Sequence, residues 1–157
     1  MSIAPVRCAV EVSQPPSEAF ELFAKRISEW WVGKAVSKNE RASITIEPRS
    51  GGRWFETGVD GIETPWGIVL AWEPPSRLLL AWELNSRFEP DPSVLTEIEV
   101  NFEQLVDGGT RIALEHRNLE RFGADAEAIA ANIGTGWPKQ LGGFVQLAAK
   151  DSEGGRK

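Results

Sequence analysis

The spacing of apolar residues lengthens in the C-terminal part of this chain, and that change limits the fold more than any single motif does. Val94, Thr96, Ile98, Val100 and Phe102 fall on one side of a two-residue alternation, with Glu97, Glu99, Asn101 and Glu103 on the other. After the turn signal Asp107-Gly108-Gly109, the alternation returns, with Ile112, Leu114 and His116 opposed to Arg111, Glu115 and Arg117. Such segments predict antiparallel strands with one wet face. The rhythm then lengthens to three or four residues through Ile129, Ile133, Trp137, Leu141, Phe144 and Ala148, the stripe of an amphipathic helix. Pro138 lacks an N–H and crowds the carbonyl of Gly134, so a kink or restart is expected there.

The rest of the chain supplies more strands and two short helices. Val6, Cys8, Val10 and Val12 alternate with Arg7, Ala9 and Glu11 as a half-buried strand. Ser17 is the expected N-cap of a helix carrying Ala19, Phe20, Leu22, Phe23 and Ile27. Ile27 to Val32 forms a second short helix stopped by Gly33, with one of Trp30 and Trp31 in the core and the other at a mouth. Lys34 to Arg41 reads as a polar loop. Strands are expected over Ser43–Glu47, Arg53–Thr57 and Ile68–Glu73, then along Leu78, Leu80, Trp82 and Leu84, with turns at Pro48–Gly52, Asp60-Gly61 and Pro74-Pro75. Arg87 to Ser93 is a loop, and Asp151 to Lys157 a frayed, disordered tail.

Composition narrows the chemistry. There are seven tryptophans, no tyrosine, one histidine and one cysteine, so large apolar surface is plentiful and nucleophiles are scarce. Cys8 can form neither an internal disulfide nor a thiolate zinc site, and reads as a small core residue. The formal charge of −6 disfavours a nucleic-acid partner. No apolar run reaches membrane-spanning length and no signal pattern opens the chain, so cytoplasmic location without membrane insertion is expected. No metal site and no cofactor are expected; Glu97, Glu99 and Glu103 read as a solvated strand face.

The order of elements predicts an α+β helix-grip fold over residues 1–150: a curved antiparallel sheet of about six to seven strands, two short helices after the first, and a long C-terminal helix across the concave face. Such a grip encloses a natural ligand cavity. Four segments carry a family resemblance. They are Pro48-Arg49-Ser50-Gly51-Gly52-Arg53-Trp54, Gly67-Ile68-Val69-Leu70 with Glu73-Pro74-Pro75-Ser76-Arg77-Leu78, Gly109-Thr110-Arg111-Ile112, and Thr135-Gly136-Trp137-Pro138-Lys139-Gln140-Leu141. Together they resemble the family named for an activator of the heat-shock-protein-90 ATPase, within the START-like, pollen-allergen-like superfamily, from about Val6 to Ala149. The resemblance implies a cup-shaped binder of small apolar molecules and carries over no catalytic residue.

The expected function is therefore non-catalytic binding of a small hydrophobic or aromatic ligand. Its expected lining is Trp54, Leu80, Trp82, Ile98, Val100, Phe102, Leu114, His116, Trp137, Leu141 and Phe144. Trp66 and Trp72 are expected in the core. An inward Trp54 sends Glu56 inward too, where a carboxylate needs a partner such as His116 or an arginine. That pairing opens the alternative of a cyclase- or hydrolase-like enzyme. A chaperone-ATPase interaction module is the third reading, and a homodimer stays open.

Overall fold

The computed structural model describes residues 3–32 and 40–154. Seven strands form one curled antiparallel sheet: β1 (Val6–Val12), β2 (Arg41–Ile46), β3 (Arg53–Gly58), β4 (Glu63–Glu73), β5 (Arg77–Trp82), β6 (Thr96–Gln104) and β7 (Thr110–Arg117), in spatial order β1-β7-β6-β5-β4-β3-β2. Helices α1 (Pro16–Lys25) and α2 (Ile27–Trp30) follow β1, and α3 (Ala126–Gly154) closes the fold. This is the helix-grip architecture. No helix among the described residues is long and apolar enough to cross a membrane.

The registers realise the alternation. Ile98 faces His116, Val100 faces Leu114 and Phe102 faces Ile112 across β6 and β7, and all six side chains are buried. The opposite face carries an ion-pair ladder. Arg117 meets Glu97, Glu99 and Glu115, Arg77 meets Glu99 and Glu73, and Arg7 meets Glu115. The strand glutamates expected as a merely solvated face are thus mostly paired across strands.

Several local expectations are corrected. Helix α1 starts at Pro16 with Pro15 as N-cap and no side-chain cap, so Ser17 lies inside the first turn. Proline suits that position, because its missing N–H has no helical partner in any case. Helix α2 ends at Trp30, and Arg41 already belongs to β2. Gly33, Lys34 and Lys38 lie outside the described residues. Strand β4 begins at Glu63, five residues before the expected start. Pro65 is accommodated opposite Phe55, next to a register shift between Trp54 and Phe55. Helix α3 runs through Pro138 without a break; Gly134 and Pro138 both face solvent, where the carbonyl left without its N–H can be hydrated. The helix also continues through Asp151 to Gly154, and Asp151 pairs with Arg26 at 2.8 Å; residues 155–157 are outside the described set.

Aromatic packing decides which end of the grip is solid. Phe23 stands 4.8 Å from Trp30, 5.4 Å from Phe144 and 5.6 Å from Phe102, ring centre to ring centre. Phe20 adds contacts with Phe102 and Trp72 at 5.0 and 4.9 Å. These rings plug the space between α1, α2 and the C-terminal half of α3. Open volume is left at the other end, against the N-terminal half of α3.

Candidate ligand cavity

At that end Trp31, just past α2, turns toward the sheet. Its ring centre lies 5.1 Å from Trp66, 5.6 Å from Trp137, 6.4 Å from Trp54 and 6.5 Å from Trp82. Trp30, its neighbour, is buried beside Phe23 and donates its indole N–H to the Phe23 carbonyl at 3.0 Å. The helix thus divides the pair as expected, one ring to the core and one to the mouth.

Trp31, Trp82 and Trp137 wall a cavity of about 320 Å³. Helix α3 contributes Ile129, Asn132, Ile133, Gly136 and Gln140, and the loop after β5 contributes Asn85, Ser86 and Phe88. Phe122 enters from the 3-10 helix Leu119–Asp125, and His116 from β7. No charged side chain lines the cavity among the described residues.

His116 is fully buried and held by a directed chain of hydrogen bonds. The Trp137 indole donates to its Nδ1 at 3.1 Å. An indole nitrogen can only donate, so Nδ1 accepts and the proton of the neutral ring sits on Nε2. Nε2 then donates to Thr96 Oγ1 at 2.8 Å, and that hydroxyl donates to the Trp82 carbonyl at 3.4 Å. Burial pushes the imidazole pKa down to about 3. A proton on Nδ1 would also confront the indole N–H, so geometry and desolvation both keep the ring neutral.

Glu56 is buried too, on the same inward side as Trp54, and accepts the Trp66 indole N–H at 2.9 Å. It shares no hydrogen bond with His116, whose ring nitrogens are engaged by Trp137 and Thr96. The carboxylate and the imidazole are thus not joined as the acid–base pair the sequence allowed.

Polar atoms around the cavity are largely committed. The Gln140 amide accepts from Val32 N at 2.8 Å and donates to Val32 O at 2.7 Å, clamping α3 to the chain after α2. Asn85 Oδ1 accepts from Arg87 N and Glu89 N. The Ser86 hydroxyl and the Asn132 amide have no hydrogen-bond partner among the described residues and are available to a guest.

Of the eleven residues expected to line the cavity, Trp82, His116 and Trp137 do so. Trp54, Leu80, Ile98, Val100, Phe102, Leu114, Leu141 and Phe144 lie buried in the packed core instead. They face inward as the alternation requires, but α1 and α2 fill the space in front of several of them. Sequence reasoning missed Phe88, Phe122, Asn132 and Gly136. The signal for Phe88 was an aromatic inside a loop rich in proline and polar residues; the short helix carrying Phe122 had no periodic signature.

Residues 13–149 match the family described as Activator of Hsp90 ATPase homolog 1-like protein. No curated protein matches the chain. Among solved structures, the anthrahydroquino-gamma-pyrone synthase Txn09 is 35% identical, with 93% of this chain and 97% of that one covered and a TM-score of 0.66. The self-sacrificing resistance protein CalC from Micromonospora echinospora is 26% identical, with 94% and 95% covered and a TM-score of 0.68. The protein MLL2253 from Mesorhizobium loti, at 20% identity, 94% and 98% coverage and a TM-score of 0.69, shares the fold. With its motifs, its helix-grip sheet and this match over most of its length, the chain belongs to the Activator of Hsp90 ATPase homolog 1-like family.

Proposed function

We propose that this protein binds an uncharged, planar aromatic molecule in the cavity between Trp31, Trp82 and Trp137. The observation that carries the reading is the lining itself: three indoles and two phenyl rings, with no charged side chain among the described residues. Aromatic walls favour a flat guest through stacked and edge-on contacts. An ionised guest would lose its hydration without gaining a counter-charge. The Ser86 hydroxyl and Asn132 amide would meet carbonyl or hydroxyl groups on its rim. The 35% identity to a synthase of a fused aromatic pyrone points to the same ligand class.

That identity also favours a second reading, ring closure on such a guest. Here His116, neutral and with both nitrogens engaged, would serve as wall rather than as proton carrier, so any acceleration would come from holding the reacting groups together.

Titration with dihydroxyanthraquinone and related uncharged polycyclic aromatics, followed by tryptophan fluorescence, tests the binding reading. Saturable quenching is expected, with anthraquinone sulfonate much weaker. Absence of saturable quenching by every uncharged member of the panel would refute it. Product analysis after incubation with an open anthrahydroquinone precursor separates the second reading from the first.

A further inference from the structure

Two residues of the cavity wall carry a backbone cost in stability. Phe88 has φ of 63°, in the left-handed region that bulky side chains avoid. The turn holds it there: Phe88 N donates to Asn85 O, and Asn85 Oδ1 accepts from Arg87 N and Glu89 N. The residue is nevertheless 49% exposed, with its ring centre 5.8 Å from that of Trp82. Glycine or asparagine would suit that backbone better.

Gly136 lies inside α3, where glycine is less stable than alanine. A Cβ at Gly143 of this helix would strike the Trp30 carbonyl oxygen, whereas Gly142, which does not line the cavity, has open space beside it as Gly136 does. A Cβ at Gly136 would have no described atom within 4 Å, and the residue lines the cavity one turn from Asn132. The helix face there is notched where it borders open space.

We infer that Phe88 and Gly136 are the specificity-determining residues of this cavity: the guest's ring lies in the notch at Gly136, against the helix backbone, and stacks on the phenyl ring of Phe88. Both positions give up backbone stability, and a flat guest would add a contact at each, on the exposed part of Phe88 and in the open space beside Gly136. The inference rests on the reading that the cavity takes an uncharged planar aromatic. It adds that width at Gly136 and stacking at Phe88 select among such guests, with Asn132 within reach of a polar substituent.

The test compares dihydroxyanthraquinone affinity with thermal stability in wild type, Gly136→Leu, Gly136→Ala and Phe88→Gly. Gly136→Leu and Phe88→Gly are each expected to weaken binding about tenfold or more. Gly136→Ala is expected to raise Tm by about 2 °C, and Phe88→Gly to leave Tm near wild type. Wild-type-like affinity in either Gly136→Leu or Phe88→Gly would overturn the inference while leaving the cavity reading standing. A fall in Tm that matches the affinity loss in Phe88→Gly, or a fall rather than a rise in Tm in Gly136→Ala, would overturn it as well, by marking that position as structural. Failure of the wild type to bind any uncharged member of the panel would remove the cavity reading, and this inference with it.

Discussion

Nδ1 of His116 accepts the indole N–H of Trp137 across 3.1 Å, and this bond fastens the middle of α3 to β7 beneath the cavity wall. It sets the ring plane of a principal wall residue and determines which imidazole nitrogen carries the proton. Trp137→Phe keeps an aromatic ring but strands a buried acceptor. A loss of about 1–3 kcal/mol is expected, read as a shift of the urea midpoint at neutral pH. An unchanged midpoint would show that the bond contributes nothing net.

The same histidine makes stability depend on pH. Its folded pKa is lowered to about 3 from 6.5, so the folded ring stays neutral while the unfolded ring takes up a proton below 6.5. The unfolded state then binds more protons, and stability falls as pH drops from about 6.5 toward 3, with no further histidine contribution below that. The slope from one such group is at most about 1.4 kcal/mol per pH unit. Urea unfolding of wild type and His116→Gln between these limits is expected to give a shallower slope for the variant. Parallel slopes would mean that His116 is protonated in the folded protein.

Glu99 titrates in a lower window. Hydrogen bonds from Arg77, then Arg117, hold its carboxyl pKa at about 2, below the ordinary 4.5. Its stabilisation is therefore full above 4.5 and lost as pH falls through about 2. The site is partly open to solvent, so screening limits the effect. Glu99→Gln is expected to cost about 1 kcal/mol or less at neutral pH, and the difference is expected to shrink in high salt. A penalty insensitive to salt would argue for packing rather than charge.

Phe144, which its place on the helical stripe suggests as a ligand contact, lies in the solid half of the grip, 5.4 Å from Phe23 and 5.7 Å from Trp30. Phe144→Ala is expected to cost about 3–5 kcal/mol of stability through lost burial and a residual cavity. Equilibrium unfolding measures this. A loss well under 1 kcal/mol would mean that the core relaxes into the gap.

The alternation from Thr96 to Arg117 and the stripe from Ile129 to Ala148 were enough to read two strands, the long helix and the inward side of the residues on them, because those patterns follow from backbone geometry alone. Against expectation, Pro138 does not break the helix, because the carbonyl left without its N–H faces water. The family motifs around Trp54 and Trp137 were legible for the same local reason.

Which inward residues border space was not legible. Phe102 and Phe144 share the inward character of Trp82, His116 and Trp137 and differ from them only in what stands opposite. That is settled by where Phe20, Phe23 and Trp30 come to rest, contacts between residues far apart in the chain. Nor could spacing reveal that the lone histidine would be locked between an indole and a threonine hydroxyl. A pattern along one chain says which way a side chain points; filling or emptying the volume in front of it is a collective outcome of packing.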